Sequence, residues 1–359
     1  MSDPSRSITG GVDTHKDFYV AAAIDGLGRI LGTEQFPTTP RGYRRLLRWL
    51  RRFGDVVAVG VEGTGAWGAG LARYLTAEGV RVVEVDRPNR QRRRRRGKSD
   101  PADAEAAARA VLAGDQTGTP KAATGMVEAI RLVRVARRSA MKARTQAANQ
   151  IHSVIDTAPE ELRGQLLGLR ENERIAKCSR LRATDPTTPA GAAKLTLSTL
   201  ARRWLALSDE IKTLDAQLER LVEATAPSLV AAKGIGTETA SMLLTTAGDN
   251  PGRLSSERSF AAVCGSSPVD ASSGRQQRHR LNRGGDRQAN CALYLIVLNR
   301  LSWDPRTKAY MQRRLAEGKT KKEVIRCLKR YVAREVYNLI AKDLAGRSEA
   351  AQRRVQLAA

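Results

Sequence analysis

The sequence predicts an α/β sheet domain followed by a mainly helical remainder, and three features predict it. Short apolar segments separated by glycine-bearing turns fill residues 7–86. Few strand-like runs occur beyond about residue 119. Apolar side chains from Leu197 to Leu221 recur at alternating spacings of three and four, the signature of a long helix with one sticky stripe. A chain of 359 residues has room for two or three domains. The composition divides it at 1–118, 119–226 and 227–345, with a short tail at 346–359.

Taken in order, SITGGVD enters as a strand, DFYVAAAID (17–25) follows as a second, and ILGTEQF forms a third after the turn GLGR, giving an antiparallel meander. Residues 40–53 make a helix with Tyr43, Leu46, Leu47, Leu50 and Phe53 on one face and arginines on the other. VVAVGVEG (56–63) is apolar enough for a buried strand, GAWGAGLARYLTAEG supplies a helix, and VRVVEVD (80–86) a last strand. A further helix opens at SDPAD, where Asp100 suits the N-cap, Pro101 the first helical position, and Asp103 the positive helix end. This order of elements is that of a ribonuclease-H-like mixed sheet, in which the first and fourth strands are neighbours.

Residues 125–157 read as one basic helix. Leu197, Leu200, Trp204, Leu207, Ile211, Leu214, Leu218 and Leu221 then form a strict a/d coiled-coil stripe, with either the 125–157 helix or a second subunit as partner. The stretch between the two helices, including RATDPTTPAG (182–191), reads as a loop or hinge. SLVAAKGIGTETASMLLTTAGD (228–249) reads helix, GIG turn, helix, a helix-hairpin-helix-like corner that is either a phosphate contact or a plain α-domain corner. The segment 266–290 is almost devoid of apolar side chains, and two helices close the chain.

Lysine and arginine total 62 against 37 acids, a net charge of +25 spread over the whole length, so a polyanionic partner is expected. Cys178, Cys264, Cys291 and Cys327 form no CxxC pair, which excludes a zinc ribbon or disulfide framework and fits a reducing cytoplasm. No apolar run reaches membrane-spanning length and the N-terminus lacks a signal-peptide core, so a soluble cytoplasmic protein with no membrane partner is expected.

Asp13 ends the first strand and Glu62 the fourth, while Asp100 and Asp103 share one face of a helix start. In the expected sheet these four acids converge at one edge. Such a cluster suits two divalent ions about 4 Å apart that clamp the attacking and leaving oxygens of a phosphate. Mg²⁺ is the natural ion for hard oxygen ligands. Taken singly, each acid is equally a turn former, an arginine partner or a cap. Arg92, Arg93, Arg94, Arg95, Arg96 and Lys98, just before the helix, would carry a phosphate backbone to the metals, unless the run is simply a solvated loop.

The second constellation is Ser272 and Ser273 before Gly274, followed by Arg275, Arg278, Arg280, Arg283 and Arg287. A serine attacks only when its charge and that of its electrophile are compensated, and arginines do this at phosphate. His279 is either a base or one more phosphate contact. On composition alone, a phosphate-binding loop is favoured over a nucleophile.

GVDTHKD, GVEGTG, GKSDPADA, the GIG corner, and PVDASSG followed by RGGDR stand in the order of one transposase family. Over about residues 8–345 the chain resembles the insertion-sequence transposases of the family numbered one hundred and ten, which includes pilin-gene inverting recombinases. The resemblance implies a RuvC-type DEDD domain joined through a coiled coil to a domain with a nucleophilic serine. Asp13, Glu62, Asp100 and Asp103 match the metal-binding acids, and Ser273, directly before glycine, matches the serine, with Ser272 one residue away. It further implies a serine–DNA phosphodiester at a site shared with the metals, a Holliday-junction intermediate, and guidance by an RNA that the element encodes. DNA, that RNA and a homo-oligomer, dimer or tetramer, are then the expected partners. An aromatic content of 4 % argues against base stacking as the main binding mode. Two rival readings are a resolvase-type nuclease that uses water, and a non-catalytic coiled-coil nucleic-acid binder.

Overall fold

The computed structural model describes residues 6–85, 99–275 and 279–358, with every side chain among them except Pro251 and 347–358. Arg92, Arg93, Arg94, Arg95, Arg96, Lys98 and Arg278 therefore lie outside the described residues. The chain forms two compact units, 1–123 and 124–359.

The first unit is a five-stranded mixed sheet in the order β3-β2-β1-β4-β5, with β1 Ser7–Thr14, β2 Phe18–Ile24, β3 Ile30–Pro37, β4 Asp55–Glu62 and β5 Val82–Val85. The meander is antiparallel, whereas β1–β4 and β4–β5 pair in parallel, as connections through helices demand. Helices α1 (Pro40–Arg51) and α2 (Ala69–Ala77) cover one face. There Leu46, Leu47 and Leu50 of α1 and Leu71 and Leu75 of α2 bury Ile8, Val12, Val59 and Val61. Helix α3 (Asp100–Leu112) lies on the other face, burying Ala104 against Val20 and Ala22.

The second unit is helical. Helices α4 (Met126–Thr157) and α7 (Pro189–Thr225) run antiparallel, Val127 sharing a core with Leu218 and Val222 at one end, and Ile151 with Leu197 and Ala201 at the other. The expected stripe therefore finds a partner in its own chain, but on a shifted seam. Leu197, Ala201, Ser208, Ile211, Leu218 and Val222 are buried, while Leu200, Leu207, Leu214 and Leu221 stay half-buried. Small Ala201 and Ser208 share the buried face with Leu197, Ile211 and Leu218, and the half-buried leucines stand beside it.

Part of the expected hinge is also helical. Helices α5 (Glu160–Leu166) and α6 (Glu171–Ser179) bury Leu162, Leu166, Ile175 and Cys178 against the same pair, which leaves 158–159, 167–170 and 180–188 irregular. Helices α8 (Pro227–Ala231) and α9 (Thr237–Ala247) form the GIG corner, with Gly234 at φ +85°. After α10 (Glu257–Val263) and the two-residue strands β6 (Val269–Asp270) and β7 (His279–Arg280), three helices rather than two close the chain: α11 (Arg287–Trp303), α12 (Pro305–Ala316) and α13 (Lys321–Ala358). Among the described residues no helix is long and apolar enough to cross a membrane.

Candidate active site

The acidic site is built by the register of two strands and the close approach of one helix. Val12 and Val61 are the last pair of the parallel β1–β4 ladder, so Asp13 and Glu62 stand next in register, on the same face. Gly11 and Gly60 are paired two residues earlier on that face. A Cβ on Gly11 would lie 2.2 Å from the Ala104 carbonyl oxygen and 2.3 Å from the Ala108 nitrogen, and one on Gly60 2.7 Å from Val111 Cγ2. Glycine here lets α3 rest directly on the sheet, and its first turn carries two acids.

The cap of α3 differs from the sequence expectation. Ser99 is the N-cap residue, with extended backbone, and its carbonyl accepts from the Asp103 N–H at 3.0 Å. Asp100 and Pro101 are the first two helical residues, so the Asp100 carboxylate is not spent on capping.

Asp13 and Asp103 are buried, at 8 % and 5 % exposure, where carboxylates are rarely found without a partner. Burial pushes the Asp13 carboxyl above its ordinary value; His15 opposes that shift, and the negative charges of Asp103 and Asp100 add to it. His15, just beyond β1, was not anticipated as a site residue. Its Nε2 lies 3.3 Å from Asp13 Oδ2 and 3.5 Å from Asp100 Oδ2, yet this buried nitrogen makes no hydrogen bond. The turn holds the residue firmly: its N–H donates to the Phe18 carbonyl (3.1 Å), its carbonyl accepts from Thr38 Oγ1 (3.2 Å), and its ring packs on Phe18. Among the described residues, Asp13, His15 and Asp100 form the group of metal-ligating side chains whose donor atoms all lie within 4.8 Å of one another. Glu62 flanks this group, with its carbonyl accepting from Thr14 Oγ1 at 2.9 Å.

The serine segment is a loop with fixed feet and an exposed tip. At its base, a Cβ on Gly285 would lie 2.3 Å from the Gly265 nitrogen, so only glycines allow the two strands to cross there. The Asp286 N–H donates to the Val263 carbonyl at 2.7 Å. The Asp286 carboxylate caps α11 through Gln288 and Ala289 and accepts from Thr246 Oγ1. Asn290 donates to the Cys264 and Gly265 carbonyls, and the buried Lys329 donates to Asn290 Oδ1 at 2.9 Å. RGGDR is thus largely the hardware of this neck.

At the tip, Asp270 pairs with His279 across the β6–β7 hairpin. Ser272 donates both its N–H (2.9 Å) and its hydroxyl (2.5 Å) to Asp270 Oδ1, bonds that hold the Asp270 carboxyl below its ordinary value. Ser273 is exposed, precedes Gly274 at φ +56°, and its hydroxyl makes no hydrogen bond among the described residues. Arg275, Arg280, Arg283 and Arg287 are all exposed, and none has a carboxylate partner among the described residues.

Residues 10–158 match the IS110 DEDD transposase model, and residues 227–312 match the transposase model of the IS116/IS110/IS902 family. Over 133 residues, 36 % of this chain, the sequence is 32 % identical to the uncharacterized 43.6 kDa protein of insertion element IS110 from Streptomyces coelicolor. The alignment spans 33 % of that relative's length. Two models of one insertion-sequence family, matched in order over well over half of the residues, identify the lineage: the chain belongs to the IS110 family of transposases.

Proposed function

We propose that this protein is a Mg²⁺-dependent DNA transposase and site-specific recombinase, which cleaves and exchanges strands through a covalent bond between Ser273 and DNA under the guidance of an element-encoded RNA. The observation that carries the reading is the division of the serine doublet: Ser272 is bound to Asp270, whereas the exposed Ser273 hydroxyl has no hydrogen-bond partner among the described residues. The strand order β3-β2-β1-β4-β5 supports a ribonuclease-H-like, RuvC-type reading of the sheet.

The acids suit a divalent cation. A buried Asp13 pressed by Asp100 and Asp103, next to a ring nitrogen without a hydrogen bond, is an electrostatic conflict that a cation relieves. Asp13, Glu62, Asp100 and Asp103 are the residues that would hold it. When bound, it stabilises charge on the phosphate oxygens and on the departing oxygen. In the reaction itself, Ser273 Oγ bonds to phosphorus as one P–O ester bond of the DNA breaks. The serine proton leaves, and the departing oxygen takes one up. Attack by a hydroxyl of another strand reverses the step and frees the serine, so no outside energy source is needed. Arg275, Arg280, Arg283 and Arg287 neutralise the phosphate. Sequence reading is delegated to RNA pairing, a division that a charge of +25 on a chain of 4 % aromatics supports. The half-buried leucines beside the α4–α7 seam support assembly into a cytoplasmic homo-oligomer.

The Asp270–Ser272 bond favours one competing assignment, with Ser272 as the attacking residue. A carboxyl held below its ordinary value is a weak base, so the bond is better read as a tie. The test is recovery of protein–DNA adducts under denaturing conditions from cells carrying the gene with its flanking DNA. Adducts should vanish in Ser273→Ala and persist in Ser272→Ala. The opposite pattern moves the role to Ser272, and cleavage without any adduct assigns the reaction to water.

A further inference from the structure

We infer that His15 donates its imidazole Nε2 to the cation held at Asp13 and Asp100, giving the site a mixed nitrogen and oxygen donor set that favours Mn²⁺ over Mg²⁺. The inference rests on reading the acids as metal ligands and goes beyond it by adding a donor outside the DEDD set.

The geometry sets His15 Nε2 between two carboxylates, each within reach of one shared ion. Charge-assisted N–H···O bonds measure about 2.7–2.9 Å. His15 Nε2 stands farther than that from both carboxylates, at 3.3 and 3.5 Å, and is nearly equidistant from them. Donor atoms that share one small ion at about 2.1 Å stand roughly 3 Å apart, so a shift of a few tenths of an ångström would bring the nitrogen and both carboxylates onto one ion. The nitrogen is buried and makes no hydrogen bond. Two backbone bonds and the Phe18 ring fix the residue, so little ordering remains to be done on binding. The chemical consequence follows from ligand type. Mg²⁺ takes oxygen donors almost exclusively, whereas a nitrogen donor adds affinity along the first-row series, in which Mn²⁺ is the weakest binder but the closest to Mg²⁺ in its taste for carboxylates.

Pulsed electron paramagnetic resonance of the full chain loaded with Mn²⁺ alone reads this directly, because a coordinated imidazole imprints its nitrogen on the manganese signal. The chain has three histidines, His15, His152 and His279, so ¹⁵N-histidine labelling with His152→Gln and His279→Gln assigns the coupling. The nitrogen signature should persist in both variants and disappear in His15→Asn, with Mn²⁺ affinity falling about tenfold or more and Mg²⁺ affinity falling less. Bound Mn²⁺ without nitrogen coupling in the wild type would overturn the inference and leave the carboxylate reading standing. Absence of Mn²⁺ binding in the wild type, or binding that survives Asp13→Asn, would overturn both.

Discussion

Gly11→Ala is a one-carbon change whose consequence can be worked from distances. The new methyl would sit 2.2 Å from Ala104 O and 2.3 Å from Ala108 N, both backbone atoms of α3. Carbon–oxygen contacts close at about 3.3–3.6 Å, so α3 has to retreat by about 1 Å, because no rotamer change moves a backbone. Overpacking of this kind costs about 1–3 kcal/mol. A domain stable by about 5–15 kcal/mol survives that loss. The site fares worse, because Asp100 and Asp103 ride on α3 while Asp13 and His15 stay with β1. A displacement of about 1 Å at a reacting centre costs on the order of a hundredfold in rate. Gly10→Ala is the built-in control. Its methyl meets Leu50 Cδ1 at 3.0 Å and Val59 Cγ2 at 3.2 Å, the ends of side chains on the opposite face. Urea denaturation and single-turnover DNA cleavage on both variants are the assays. Gly11→Ala should remain folded and lose about two decades of cleavage, whereas Gly10→Ala should keep nearly all of it. Wild-type cleavage by Gly11→Ala, or equal losses in the two variants, would refute the argument that α3 sets the carboxylates.

Changing Leu207 and Leu214 together to Lys should reduce the assembled mass in analytical ultracentrifugation while leaving helical circular dichroism intact, since neither leucine lies on the buried α4–α7 seam; loss of helicity would show that they do hold that pair. Leu218→Ala, on the seam, should cost about 2–5 kcal/mol in urea melts. Replacing Arg275, Arg280, Arg283 and Arg287 by Ala should lower the slope of log binding constant against log salt by up to about 0.9 per residue, and an unchanged slope would take them off the phosphate path. Glu257 accepts hydrogen bonds from Arg334 at 2.5 Å and Arg330 at 3.3 Å, which hold its carboxyl below the ordinary 4.5. In that case the unfolded chain binds the proton more readily than the folded one. The stabilisation is complete above pH 4.5 and is lost as pH falls through the folded value. The melting-temperature gap between wild type and Glu257→Gln should therefore be flat at neutral pH and close in acid; a gap independent of pH would refute it.

The sheet was legible because its strands are short, apolar and separated by turn residues, and β1 and β4 could be set side by side from element order alone. Asp13 and Glu62 followed from that adjacency. His15 was missed although the signal was present: in VDTH, residues two apart at a strand end share a face, so a histidine there joins the aspartate. The N-cap was misplaced because SDP offers two good capping residues in succession, and only the extended backbone of Ser99 decides between them. The seam of α7 was misjudged for a different reason. Hydropathy favours leucine, but the buried face of α7 includes the small residues Ala201 and Ser208, which carry little or no hydropathy signal. In the expected hinge, Leu162 with Leu166 and Ile175 with Cys178 had helical spacing but too few turns to stand out beside glutamates and arginines.

The serine doublet shows where composition reaches its limit. Two adjacent serines have the same chemistry, and both are exposed, so neither hydropathy nor charge can rank them. What separates them is the position of one carboxylate. Asp270, fixed opposite His279 at the end of a two-residue strand pair, accepts from Ser272 twice, once from the backbone and once from the hydroxyl. Two bonds to one carboxylate oxygen hold the Ser272 hydroxyl in place. The next residue leads into the left-handed Gly274, and its hydroxyl makes no hydrogen bond among the described residues. On the proposed reading Asp270, two residues upstream of Ser272, acts as a selector: it occupies one serine and leaves the hydroxyl of the other without a partner among the described residues. The feet of the loop are tied by Asp286, Asn290 and Lys329, so the freedom at Ser273 is confined to the tip, where a phosphate can be met.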